Sequence, residues 1–331
     1  MYSEEELASA VEAGVLTEAT AAALRDHVAR IRVGSAADDE RFRLVTGFND
    51  IFVVIACGLL LVSVAAIGAS VAAWLGAVAV AFCAWGLAEF FIRKRHMALP
   101  AIVLAVTFVG AIVAVGVYHV DHSSMGWVVG SIAATFGAWL HWWRFRVPIT
   151  VALGVAAALS GAVTLLLTIV SEAAEWTPLI ALVTGLIVFA LALRWDAADP
   201  SRTTRRSDAA FWLHLLAAPM LVHAVFGGLG VSKGDSTTLA TALLVGVLYA
   251  AIALISLTID RRALMVAALS YVLYTFSALL HQFGVVSLGF AFTALLLGSA
   301  LLLLSAFWHR SRACVLQFLP SVLQTRLPPP R

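Results

Sequence analysis

The sequence predicts an all-α fold, a polytopic membrane helix bundle of about ten transmembrane helices with a small N-terminal cytoplasmic helical hairpin. Three observations carry that expectation. The 331 residues are 62% hydrophobic and only 12% charged, with a mean hydropathy of +0.98, whereas soluble domains run near half apolar and a quarter charged. The apolar residues gather into ten runs that approach or reach the roughly 20 residues needed to cross a bilayer. The basic residues fall in alternate connections between those runs, as cytoplasmic retention of Lys and Arg requires. With a net charge of +2 carried in short loops, the basic residues set orientation, and no nucleic-acid partner is expected.

Residues 1–34 read as the hairpin. Ser3 and Glu6 have capping-box spacing, Leu7 and Val11 share a face, and Gly14 suits the stop. Thr17 then caps a second helix whose Leu24, Val28 and Ile31 form a stripe. Two helices this short bury little by themselves, so they are expected to pack on each other, on the bundle or on a protein partner. Residues 35–50 follow as a linker (SAADDE) and an interfacial stretch (RFRLVTGF), with Asn49 and Asp50 offering an N-cap to the first span. About fifty polar residues precede the first apolar run, which speaks against a cleavable secretory signal and makes the first span the targeting signal.

The transmembrane domain is expected over 51–307, with spans near 51–69, 72–92, 99–118, 126–143, 148–170, 178–194, 209–228, 239–258, 264–283 and 285–307. With the N-terminus inside, every basic residue of the 21 except Lys233 falls on the cytoplasmic side. The outer loops carry Asp121, Glu172, Glu175 and Asp235 instead. Because one miscounted span would reverse every later loop, this agreement argues for an even count with both ends cytoplasmic. Trp127, Trp142, Trp143, Trp176, Trp195 and Trp308 stand at run ends, where indole rings anchor at the interface. Gly126, Gly130 and Ala134 on the fourth span, and Gly154 and Ala158 on the fifth, make small faces for close packing. The tail, 308–331, mixes apolar and basic residues and is expected to lie along the inner surface until its prolines stop the helix.

Ionisable groups inside spans are costly and mark candidate chemistry. The seventh span, DAAFWLHLLAAPMLVHAVFG, holds His214 and His223 with Pro219 between them. The ninth places Tyr274 and His281 on one face, flanked by Tyr271 and Ser277. His214, His223, Tyr271, Tyr274 and His281 therefore form a possible polar track, able to pass protons or bind a small ligand. The competing reading is that each satisfies a local partner and helps helices associate. Glu89, four residues before Arg93, reads as a snorkelling ion pair. His119, Asp121 and His122 in the loop YHVDHSSM are metal-ligand types without a distant fourth, so a solvated loop is expected and no metal is assigned. Cys57, Cys83 and Cys314 imply no structural disulfide.

Enzyme signatures are missing. Ser160 in AALSG lacks the glycine that an intramembrane serine protease pattern requires at Ala158, and Glu172 and Glu175 have no motif partner. No Walker loop, HExxH or haem-attachment motif occurs, so no catalytic residue and no cofactor are expected.

At the hairpin, LASAVEAGVLTEATAAAL resembles the opening of an uncharacterised bacterial family of predicted membrane proteins, the domain of unknown function numbered two-one-five-seven. Glu12, Ala13, Gly14, Thr17 and Glu18 occupy that family's turn. The resemblance covers roughly the first fifty residues and, more loosely, the run of spans. It implies a multi-pass protein of the bacterial cytoplasmic (inner) membrane and supplies no catalytic residues. In topology the chain is also similar to drug/metabolite transporters, which have ten short-looped spans in two inverted halves. The halves here would be 51–170 and 178–307, without residue matches between them. The expectation is a non-enzymatic interaction or regulatory membrane protein whose hairpin has a protein partner. The alternative is a small-molecule or proton-coupled transporter using spans seven and nine.

Overall fold

Every regular element among the described residues is a helix. The computed structural model describes residues 4–24, 26, 48–120, 122–200, 202, 204–228, 238–282, 289–318, 320 and 327. Two units divide the chain, residues 1–44 and residues 45–330.

In the first unit, α1 (Glu4–Glu12) is followed by a turn and by α2 (18–24). Gly14 takes φ +71°, a left-handed conformation that a side chain disfavours, and the Val15 N–H reaches back to the Ala10 carbonyl. Thr17 Oγ1 accepts the Thr20 N–H at 3.2 Å, the N-cap that its position suggests. Leu7 and Ala21 are buried. Ser3, Val28 and Ile31 lie outside the described residues.

The second unit contains α3 (Phe48–Ala69), α4 (Ala73–Phe91), α5 (Ala98–His119), α6 (Ser124–Phe145) and α7 (Ile149–Ile169). A 3₁₀ turn, Ser171–Trp176, leads into α8 (Thr177–Ala197), α9 (Arg205–Gly228), α10 (Leu239–Ile259), α11 (Ala263–Gln282), α12 (Gly289–Ala306) and α13 (Trp308–Gln317). Each of the ten expected runs coincides with one helix from α3 to α12. Seven of these, α3, α4, α5, α7, α8, α9 and α10, are long and apolar enough to cross a membrane. Helices suit that role because they satisfy their own backbone groups where no water is present. Apolar side chains also cover the outside of the bundle: Phe52, Leu59 and Ile67 on α3, Leu243 and Val247 on α10, and Leu302 on α12 are exposed.

Sequence neighbours from α3 to α9 and from α10 to α13 pack against one another, and α9 also meets α7 and α11. The α5–α6 contact is close, for a local reason. A Cβ on Gly116 would stand 2.4 Å from the Gly130 Cα, and one on Gly126 would stand 2.9 Å from the Gly116 carbonyl oxygen. The small face of α6 is therefore what lets the two backbones touch. Ala134 is fully buried, and Gly154 of α7 faces the Ala138 methyl. Ala158 is exposed, and the buried alanine of that turn is Ala157, one position earlier.

Three further details differ from expectation. α3 starts at Phe48, so Asn49 and Asp50 lie inside its first turn instead of ahead of it, and Asp50 is buried. The tail helix stops at Gln317, before Pro320, well short of the terminal prolines. Trp308, expected as an interfacial anchor, is only 2% exposed, because its indole N–H is drawn to a carboxylate. Trp127, Trp143 and Trp176 are exposed at helix ends, where interfacial anchors belong.

The arginine-bearing ends meet on one side of the bundle. Arg144, at the end of α6, pairs with Glu89, near the end of α4, at 2.8 Å, and Arg93 joins the same carboxylate at 3.0 Å. Ala152 of α7, Ala192 of α8 and Leu213 of α9 share one buried cluster close to the same end.

Candidate functional site

The largest concentration of buried charge lies where α8, α9, the α10–α11 turn and α13 come together. Asp196 sits at the C-terminal end of α8, where the helix dipole disfavours a carboxylate. Arg261 compensates for it: its Nη2 lies 2.6 Å from Oδ1 and its Nε 3.2 Å from Oδ2, a two-pronged pairing. Asp196 is 7% exposed and Arg261 3% exposed, so each is stable there chiefly because the other is present. Arg261 Nη2 also donates to the carbonyl and hydroxyl of Ser207, both at 3.2 Å, which ties in the first turn of α9.

His214 completes this set from the next turns of α9. Its Nε2 lies 2.9 Å from Asp196 Oδ2, and the ring edge meets Phe189. In the neutral ring, Nε2 then carries the proton and donates, leaving Nδ1 as an acceptor. Nδ1 is buried and finds no hydrogen-bond partner among the described residues.

A second carboxylate, Asp260, organises the adjoining turn. It follows α10 in a left-handed conformation, φ +57°, which a short acidic side chain tolerates. Arg202, from the α8–α9 connection, donates to Asp260 Oδ2 at 2.9 Å and to the carbonyls of Ile259 and Asp260 at 3.1 and 3.2 Å. One guanidinium thus closes the end of α10. From α13, the Trp308 indole N–H donates to Asp260 Oδ1 at 2.7 Å, and Arg312 stands 3.8 Å from the same oxygen. Arg262 lies over the Trp308 ring, 4.7 Å from its centroid. The Ser256 hydroxyl donates to the Arg261 carbonyl and fixes the α10–α11 turn that carries Asp260 and Arg261.

Burial presses the Asp260 carboxyl upward, but the Trp308 hydrogen bond and the charges of Arg202, Arg312 and Arg261 outweigh it. The group is held below the usual carboxylate range. Arg202 is displaced downward, first by burial and then by Arg261, with Asp260 and Asp196 opposing. Asp199 accepts the Thr204 N–H at 2.8 Å and its hydroxyl at 2.7 Å, shaping the approach to α9.

The polar-track residues divide between two places. His214 belongs to the Asp196–Arg261 set. His223 pairs instead with Tyr271 across α9 and α11, Nδ1 to hydroxyl at 2.5 Å, and Tyr271 stacks on the buried Phe226. Tyr274 is half-exposed on α11. The His281 side chain lies outside the described residues. At the end of α5, His119 meets the edge of Trp74, and in the loop that follows His122 meets that of Tyr118, while Asp121 lies outside the described residues.

No family model, curated protein or solved structure matches this chain. Chemically the site is a closed ionic knot: carboxylates matched by guanidiniums, each joining segments far apart in sequence, with no activated nucleophile among its members. Sequence reasoning reached His214 and missed Asp196, Asp260, Arg261 and Arg312. The available signal was the placement of three aspartates, Asp196, Asp199 and Asp260, within the arginine-rich connections. Acidic residues there have nearby cations to pair with. His141 was missed as well: fully buried, it contacts Thr150 Oγ1 through Nδ1 at 3.2 Å and is enclosed by Trp85, Phe108 and Phe145.

Proposed function

We propose that this chain is a ten-span protein of the bacterial inner membrane, with both termini cytoplasmic, that acts as a non-enzymatic interaction or regulatory protein. The N-terminal helical pair is its partner-binding module. The observation that carries this reading is the ionic knot built on Asp196 and Asp260. The bundle's charged groups join one another at the arginine-bearing end, and that end is cytoplasmic by the retention rule for basic residues. They serve to lock α8, α9, α10 and α13 together, as a scaffold requires. The coincidence of a helix with each expected run supports the count of ten, and the contacts among the arginine-bearing ends support an even number.

The alternative is transport through His214, His223 and Tyr271. Purified protein in vesicles that enclose a pH-sensitive dye separates the two. A scaffold gives proton movement equal to that of empty vesicles, with or without candidate solutes. Movement above that level that disappears in folded His214→Ala or His223→Ala protein would overturn the reading in favour of transport. Photocrosslinking in cells from Val15, which is 76% exposed, addresses the module. A discrete protein adduct is expected, and none from any exposed hairpin position would contradict the assignment.

A further inference from the structure

Between α4 and α6, across α5, lies a crevice of about 570 Å³. Its origin is the close α5–α6 approach: Gly116 and Gly130 put bare backbone on the floor where side chains would otherwise stand. Phe82 and Trp85 wall it from α4, Ile112 from α5, and Val129 and Ala133 from α6. Its polar member is His119, at the end of α5.

From Phe108 to His119 the crevice follows α5 for eleven residues, about 16 Å at the rise of an α-helix. Apart from His119 at one end, the lining over this length is apolar, which suits one extended hydrocarbon chain with a polar terminus. Phe82, 76% exposed, and Val129, 48% exposed, form the lips, so the slot opens onto the apolar outer face of the bundle.

The geometry points to a binding crevice for one acyl chain of a bilayer phospholipid, entered sideways between Phe82 and Val129, with the polar head at His119. Bulk lipid is already apolar, so occupancy is driven by fit against Trp85, Phe108 and Ile112, and by the hydrogen bond at the rim, rather than by the hydrophobic effect. The edge contact with Trp74, at 5.5 Å between ring centroids, holds the imidazole at the rim, where it meets an ester carbonyl or phosphate oxygen.

The test uses the full chain in vesicles of phosphatidylethanolamine and phosphatidylglycerol doped with a phospholipid carrying a photoactivatable group in its acyl chain. Adducts are mapped by mass spectrometry. Labelling on the crevice walls should exceed that on Leu243 and Val247, open positions of α10, several-fold. Ala133 is exposed, so Ala133→Phe leaves the fold intact. It should reduce crevice labelling several-fold with α10 unchanged. His119→Leu should weaken labelling by the phospholipid more than by a photoactivatable alkane without a headgroup. Even labelling of crevice and α10, no response to Ala133→Phe in protein of unchanged melting temperature, or a second protein crosslinked into the slot would each overturn the inference.

Discussion

Arg261 and Asp196, 65 positions apart in the chain, meet through two hydrogen bonds inside the bundle, the shorter at 2.6 Å. Neither has an adequate substitute for the other, because both are more than nine-tenths buried. Removing one side of such a pair leaves an uncompensated charge and costs about 3–5 kcal/mol, whereas removing both costs far less than the sum. Asp196→Ala and Arg261→Ala should each lower the melting temperature in detergent sharply, and the double variant should be no worse than either single one. Additive losses would show that the two residues act independently.

Acidification tests the neighbouring carboxylate. Asp260 is held below the ordinary carboxylate range in the folded protein, so the unfolded chain takes up its proton first. Its contribution to stability is complete above the unfolded value, about 3.9, and declines as pH falls below that toward and through the folded value. Melting temperature should therefore drop more steeply below about pH 4 in the native chain than in Asp260→Asn. Parallel acid limbs in the two proteins would contradict this.

Trp308 links the tail helix to that same carboxylate. Trp308→Phe keeps most of the ring and loses the indole N–H, a hydrogen bond to a charged acceptor worth about 1.5–3 kcal/mol. Limited proteolysis after α12 should accelerate in this variant and in Asp260→Ala, while cleavage elsewhere is unchanged. Equal cleavage of variant and native protein would place α13 under other control.

Gly116 makes the sharpest packing test. A side chain there meets the backbone of Gly130 at 2.4 Å, and backbone cannot rotate aside. Gly116→Leu should separate α5 from α6 and cost at least about 1–3 kcal/mol. Gly110, on the same helix, has nothing within 4 Å of its added Cβ. Gly110→Ala should be neutral or stabilising by up to about 1 kcal/mol. Comparable damage from both would remove the steric argument.

The helices were legible in the sequence because a span is announced by its length and apolarity alone, with no need to know its neighbours. The turn at Gly14 and the Thr17 cap were legible for a similar reason: the interactions that define them are local. Pairings across the bundle were not. Asp196 and Arg261 belong to different connections, and their joint burial follows from how α8 packs beside α9 and how α9 reaches α11. Ala158 shows the same limit on a smaller scale: its small size was visible, but which turn of α7 faces α6 depends on helix rotation. His214 attracted attention as a costly residue in an apolar run. Its partner did not, because Asp196 lies just beyond the expected span 178–194, beside Arg194 and Trp195. Trp308 was read as interfacial because ring chemistry is evident in sequence and the carboxylate that draws the ring inward is not.

In the proposed topology the arginine-bearing end faces the cytoplasm across ten spans, and cysteine labelling in whole cells tests this most directly. In a background without Cys57, Cys83 and Cys314, a cysteine replaces Ala198, exposed beside the ionic knot, or Glu175, exposed in the turn before α8. A membrane-impermeant maleimide should label Glu175→Cys in intact cells and Ala198→Cys only after permeabilisation. Labelling of Ala198→Cys in intact cells would contradict the topology and the cytoplasmic placement of the knot.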